Sequence, residues 1–482
     1  MTSKRDEIPG TDPDDTAARR VQDTLDDHVN PADAGRLRRP KRRTVILIAA
    51  LGLVAALIIA IVVRQQLRTV DDPVPVTMPV AISGVNLPKD AKLGIVLTLG
   101  DGTSPGSEWN QAAQGARVAQ QRLSMGGADL GFIVENDHGT SAGAQEAITS
   151  LVAQGVAGIV LATDGPQIGD ALSSAQAAGI PVLLVYSSLS AADATDGVWS
   201  LTPSEENTAA AFTEILQEFS NPLQIDAGSG LPGTVNISDR LTVSDGADLS
   251  VLATDVATRT NADAAAGGAY SGDPDQTPSA PVENPNDAVV ISGRPIMQAM
   301  IVRALQAKDI SVPIVLTPGA TSPAFATELS EQGGSGSTNL VSVGAAWSDS
   351  VALSNDSHGR TMSAFLAGVR LSAEDDEILD LTEEAPFATV SATADVRSHD
   401  AVIALAQAIS AAGSTEPDEV GEALARLDLG PADGVSGPDL DFSRAQAFVG
   451  ETTALYASDQ QLGLRPQTVA GQLVWFTAPD SP

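Results

Sequence analysis

From Lys92 to Ser188 the chain reads KLGIVLTLGDGTSPGSEWNQAAQGARVAQQRL (92–123), DLGFIVEND (129–137), SAGAQEAITSLVAQG (141–155), AGIVLAT (157–163), GPQIGDALSSAQAAG (165–179) and IPVLLVYSS (180–188). Short apolar runs of strand length alternate with longer segments whose apolar residues recur every three to four positions. That alternation predicts a β-α-β-α-β-α-β unit built on a parallel sheet. In open sheets of this kind ligands bind at the loops leaving the carboxyl ends of the strands. Those loops are Gly100–Glu108, Asp137–Ser141, Thr163–Gly165 and Tyr186–Ser190.

At 482 residues the chain has room for two or three domains with ample core. It contains no cysteine, which excludes a disulfide framework, a thiol nucleophile and a lipid-modified cysteine anchor. His28, His138, His358 and His399 lie far apart and show no metal-ligand spacing, so neither a zinc site nor any cofactor is expected. The formal net charge of −34 falls almost wholly beyond residue 43. Such a surface repels nucleic acid and anionic lipid and keeps the protein soluble.

The first 43 residues are polar, Asp-rich and aperiodic, as in a disordered tail. Arg36, Arg38, Arg39, Lys41, Arg42 and Arg43 then precede an uncharged apolar run from Thr44 to Val63. A helix of that run spans about 30 Å, enough to cross a hydrocarbon core. The basic cluster on its N-terminal side places the N-terminus in the cytoplasm and everything after Arg64 outside. A lead of this length, with no A-x-A site after the apolar run, reads as an uncleaved signal-anchor. Residues 64–91, with Pro73, Pro75, Pro79 and Pro88, read as an extended tether.

A first lobe is expected over 92–220. It closes with a helix that begins at Thr202-Pro203-Ser204-Glu205, a capping-box pattern with proline at the first helical position. A second β/α lobe is expected over 221–350. Its strands are Leu223–Asp226, Arg240–Val243, Ala288–Ile291, Pro313–Thr317 and Leu340–Val343. Its helices are Asp248–Thr260, Ile296–Ala307 and Pro323–Glu331, and a Gly/Pro/Asp-rich insertion runs from 261 to 287. Residues 351–482 carry a helix over Asp400–Ala412, a second helix capped by Thr415, and a final strand at Gly471–Phe476. They are read as a hinge-crossing part that completes both lobes.

The segments 92–120, 131–160 and 178–188, followed by DAVVISGRPIMQ, SHDAVIALAQAI and AGSTEPDEVGEALARLD, make the chain resemble the type I periplasmic solute-binding proteins. Within these it is most similar to the branched-chain amino acid-binding family of ABC importers. The likeness covers most of residues 92–450, apart from roughly 221–287. It implies two α/β lobes joined by hinge crossovers, with a small-molecule ligand held where they close and ABC permease subunits as partners. It also implies that Trp109 packs on the ligand side chain, that Thr163 contacts its carboxylate, and that Tyr186, Ser187 and Ser188 supply backbone and hydroxyl contacts, with Asp164 beside Thr163 among the ligand-binding residues. Turn capping is the alternative for the hydroxyl residues, and core packing is the alternative for Trp109.

The second lobe departs from the family pattern. After PIVLT the loop is Pro318-Gly319-Ala320, with no glutamate to meet a ligand ammonium. An unpaired buried ammonium costs several kcal/mol, so a carboxylate is ranked above a free amino acid. Arg294, after the strand AVVISG, stands where the family tends to have an aromatic. It is expected to clamp a carboxylate or stack on a ring, unless it is an ordinary solvated loop arginine.

Three other patterns carry less. Gly100-x-Gly102-x-x-x-Gly106 is one residue too long for a dinucleotide fingerprint. The acidic run from Glu374 to Glu384 lacks calcium-loop spacing, and Asp137-His138 reads as a turn. The sequence thus points to a membrane-anchored, extracytoplasmic solute-binding protein and not to an enzyme. A ligand sensor or cell-envelope interaction module on the same fold is the alternative.

Overall fold

The computed structural model describes residues 78–477, except 101, 103, 190–194, 245, 263–280, 338 and 467–471. The basic stretch, the apolar run 44–63 and most of the 261–287 insertion lie outside the described residues. Among the described residues no helix is long and apolar enough to cross a membrane.

Five parallel strands form the first sheet: β1 (Lys92–Leu97), β2 (Gly131–Asn136), β3 (Ile159–Leu161), β4 (Val182–Leu184) and β5 (Val198–Ser200), in the order β2-β1-β3-β4-β5. Alternate side chains face opposite layers. Leu93, Ile95 and Leu97 join the core under α1 (Gly115–Met125), whereas Val96 joins the layer under α2 (Ser141–Ala153) and α3 (Ile168–Ala177). Burial on both faces is why these strands read as continuous apolar runs.

The second sheet repeats the plan. β6 (Pro222–Ala227), β7 (Asp239–Thr242), β8 (Ala288–Gly293), β9 (Ile314–Leu316) and β10 (Leu340–Gly344) are all parallel, in the order β7-β6-β8-β9-β10. Numbered within each lobe, both sheets have the order 2-1-3-4-5. The antiparallel strands β14 (Thr453–Ser458) and β15 (Val474–Thr477) extend the second sheet beyond β10. One face of this sheet carries α5 (Leu249–Arg259), α6 (Pro295–Gln306) and α7 (Pro323–Glu331). Proline at the first position of α6 and of α7 presets the helical φ.

Several sequence expectations change here. The helix α4 (Glu205–Leu216), expected to close the first lobe, lies on the second: Ala209, Phe212 and Ile215 pack on Val290, Val315, Val341 and Val343. Its cap is Ser204, whose Oγ accepts from the Asn207 N–H, so Thr202 and Pro203 stay in the connecting strand. Residues 78–91 are extended but do not hang free, because Ile82, Val85 and Ala91 are buried in the first lobe's core. The helix α9 (Val396–Ala412) starts one turn before Asp400, with Asp395 as its cap. The helix α10 (Pro417–Leu424) is preceded by Glu416, not capped by Thr415.

Both α8 (Ser357–Ala373) and α9 pack on the first lobe. So does a small sheet of β11 (Asp428–Leu429), β12 (Asp439–Asp441) and β13 (Phe448–Val449), tied to β5 by the Ser200 N–H on the Ala445 carbonyl at 2.9 Å. The chain therefore passes between lobes three times: from β5 to α4, from β10 to α8, and from β13 to β14.

Candidate functional site

The loops at the strand ends of the first lobe are locked together by a buried polar network. The Thr98 hydroxyl donates to Asp137 Oδ1 at 2.6 Å and lies 2.6 Å from Thr163 Oγ1. Gln167 Nε2 donates to Asp137 Oδ2 at 3.2 Å and to the Pro105 carbonyl at 3.2 Å. Gly106 passes over this network with φ +99°, and a Cβ there would stand 2.0 Å from Thr163 Oγ1. Only glycine fits, and the close approach delivers the next residues, Glu108 and Trp109, to the cleft.

A cavity of about 310 Å³ opens between the lobes at the carboxyl ends of both sheets. The first lobe contributes Trp109, Asp164, Tyr186, Ser187, Ser188 and Arg397. The second contributes Pro318, Gly319, Val343 and the Gly230–Pro232 turn, while Thr202, Glu205 and Trp347 enter from the crossovers. Trp109 and Tyr186 stack with centroids 4.4 Å apart and planes 6° apart. The Arg397 guanidinium carbon is 4.7 Å from the Trp109 centroid, 4.8 Å from Tyr186 and 5.1 Å from Trp347. A point that far from both stacked rings lies beside the stack, not above either outer face. Asp395 holds the assembly: its Oδ2 accepts from Arg397 Nε at 2.7 Å and its Oδ1 from the Tyr186 hydroxyl at 3.0 Å. Burial and the adjacent Asp395 carboxylate push the Tyr186 phenol well above its usual value, so it stays protonated and donates.

Solved structures with this architecture cover about four-fifths of the chain. The branched-chain amino acid transporter substrate-binding protein LivJ of Streptococcus pneumoniae, in complex with isoleucine, matches 81% of this chain and 100% of its own, at TM-score 0.55 and 17% identity. The leucine-binding protein LivK of Thermotoga maritima matches 81% and 99%, at 0.54 and 14%. An ABC transporter solute-binding protein of R. palustris, in complex with 4-hydroxybenzoate, matches 81% and 96%, at 0.53 and 13%. The fold is that of the type I periplasmic binding proteins. No protein-family model matches the chain, and no curated protein matches it in sequence. At these identities the type I assignment describes the fold alone.

Within this type I fold, Trp109, Asp164, Tyr186, Ser187 and Ser188 line one cavity. Two expected residues do not line it. Thr163 is buried behind the wall, its hydroxyl already engaged by Thr98. Arg294 sits at the rim, where its Nε meets Glu108 Oε1 at 2.7 Å and its Nη2 the Ser104 carbonyl at 3.1 Å. It is a strap between lobes and not a clamp on a ligand.

Missing from the sequence reading were Arg397, Trp347 and Glu205. Trp347 had the same signal as Trp109, a lone tryptophan after a strand in a chain poor in aromatics. Arg397 was hidden by starting its helix at Asp400. The Asp395-x-x-Ser398 cap, with Asp395 Oδ1 accepting from the Ser398 N–H at 3.1 Å, marks the true start.

Asp164 is open to the cavity yet ringed by protein. Desolvation raises its pKa, against the hydrogen bonds that Oδ1 accepts from the Ser187 hydroxyl at 2.5 Å and the Gly165 N–H at 2.9 Å. The folded state thus penalises the charged form at neutral pH. Asp164→Asn keeps an oxygen for both donors and removes the charge. Because the side chain is exposed to the cavity solvent, screening discounts this penalty. A Tm rise of about one degree at most is expected at pH 7 in a thermal melt, fading as the pH falls toward about 4, where the aspartate of the unfolded chain is also protonated.

Glu108 is almost fully buried and its other oxygen accepts from the Gly106 N–H at 2.8 Å, whereas Arg294 is half-exposed. Removing the arginine takes both Nε and Nη2, 2.7 and 2.5 Å from Oε1, away from a buried carboxylate. Arg294→Ala is expected to cost about 1–2 kcal/mol, between the values for exposed and for buried pairs. A urea melt should show the loss shrinking in 1 M salt.

Proposed function

We propose that this chain is an extracytoplasmic solute-binding protein. It takes a small organic solute, amino acid-like or a simple carboxylate, between its lobes. The observation that carries this reading is the cavity itself: strand-end loops of both sheets converge on one open cleft, lined by aromatic rings and hydroxyls with a few charged groups. Its size suits a molecule of that class. Structures of the same fold were solved with isoleucine, leucine, benzoate and 4-hydroxybenzoate, which supports the same class here.

The apolar run 44–63 anchors the protein as a single-pass signal-anchor, and the lobes face outward to supply an ABC importer. A reporter fused after residue 78 tests the topology: a secretion-dependent reporter should be active there and a cytosol-dependent one silent. Deleting the gene should abolish uptake of the solute; unchanged uptake removes the import role. Binding itself is tested on the full-length protein by tryptophan fluorescence and thermal shift against amino acids, small acids, amides and nucleosides. At one hundred times Kd a ligand adds about 2.7 kcal/mol of stability.

A further inference from the structure

Arg397 is only 8% exposed, and that remnant faces the 310 Å³ cavity and a smaller one on the hinge side, which it separates with Trp347. Burying a guanidinium costs several kcal/mol unless its donors are met. Here Nε alone is met, by Asp395. Nη1 and Nη2 make no hydrogen bond to the described residues. The half-buried Arg465 shows what a saturated fork looks like. Arg465 grips Asp349 with Nε at 2.6 Å and Nη2 at 2.8 Å, while its Nη1 donates to the Ala394 carbonyl at 2.6 Å.

The three rings around Arg397 accept no in-plane hydrogen bond from it. Asp395 is committed to Tyr186 and Ser398 through its other oxygen, so it holds the guanidinium in place without filling it. A rigid guanidinium with two open N–H groups on one edge has the geometry that a carboxylate matches with both oxygens.

We propose that Arg397 is the receptor for the solute's carboxylate, and that the solute is a monocarboxylate. This rests on the solute-binding reading above and names the ligand class within it. Asp164 and Glu205 line the same cavity. They repel a second negative charge, so a dicarboxylate is disfavoured. The apolar remainder of the solute lies against Trp347, Leu231 and Val343.

The test uses full-length protein and thermal shift with benzoate and L-leucine as acids, benzamide and leucinamide as their amides, and phthalate as a dianion. At least one acid is expected to bind at least tenfold more tightly than its amide, with phthalate weaker than benzoate. Arg397→Gln should erase the acid-over-amide preference, and Arg397→Lys should keep part of it. The preference is a ratio, so it does not move with a general loss of stability. Amides binding as well as acids, or Arg397→Gln retaining the preference, overturns the inference and leaves the solute-binding reading intact. No response to these probes or to the wider panel of amino acids, small acids, amides and nucleosides overturns both.

Discussion

Arg122→Ala is expected to remove about 3–5 kcal/mol of folding stability, the range for truncating a large buried side chain and leaving its hydrogen-bond partners unmet. Arg122 is fully buried where α1, α9 and the 78–91 segment meet. Its Nε donates to the Val80 carbonyl at 2.8 Å, and its Nη1 reaches His399 Nε2 at 2.8 Å and Ser436 Oγ at 3.0 Å. Burial pushes the guanidinium down to about 10, still charged at neutral pH. Because arginine only donates, His399 Nε2 must accept, and the ring proton sits on Nδ1, donated to Asp400 Oδ1 at 2.7 Å. Asp400 in turn accepts the Ser436 and Gly437 N–H groups at 2.9 and 2.8 Å. Truncating Arg122 strands the acceptors of three segments at once and opens a void. Arg122→Lys restores one contact at most and is expected to recover less than half of the loss in a urea melt.

The same cluster gives wild type an acid-side weakness. Desolvation lowers the His399 pKa, so the fold holds the ring neutral while the unfolded chain protonates near pH 6.5. The stability from this group is complete above that value and erodes as the pH falls through the folded-state pKa. A melt series from pH 8 to 5 should show the loss, and His399→Gln should flatten it.

Gly115→Ala is the second large effect. A Cβ on Gly115 would stand 1.8 Å from the Asp395 carbonyl oxygen and 2.5 Å from Ser398 Oγ. The first helix must therefore withdraw from α9 at the very residue that orients Arg397. Overpacking of this kind costs about 1–3 kcal/mol. It is also expected to lower solute affinity at least tenfold, because the Asp395–Arg397 pair moves with the backbone. Gly421→Ala in α10 is the control: the new Cβ meets only Pro181 Cβ at 3.7 Å. There the better helix former should be neutral or add up to about 1 kcal/mol.

Much of the fold is legible in the chain because parallel strands buried on both faces leave unmistakable apolar runs. AVVISG and IVLT are read within two residues of β8 and β9. Elements that owe their existence to distant partners are not legible. β5 is three residues long and is tied to residues 445–447, far along the chain, while β11 is only two residues and exists through its pairing with β12. The helix at Glu205 reads correctly as a helix, yet no local signal says that the crossover before it carries it to the other lobe. The candidate site divides the same way. Tyr186 follows a strand end and is placed by topology, and Trp109 by the family resemblance, whereas Arg397 reaches the cleft from a helix nearly three hundred residues later in the chain.

The account's central claim is that the two lobes shut around a solute, and the interlobe distance tests it most directly. The chain has no native cysteine, so Glu146→Cys on the first lobe and Glu331→Cys on the second give two unique sites for spin labels. With a solute that raises Tm, pulsed electron resonance should show the distance distribution narrow and shift to shorter values at saturation. A distribution that saturating solute leaves unchanged would contradict the account.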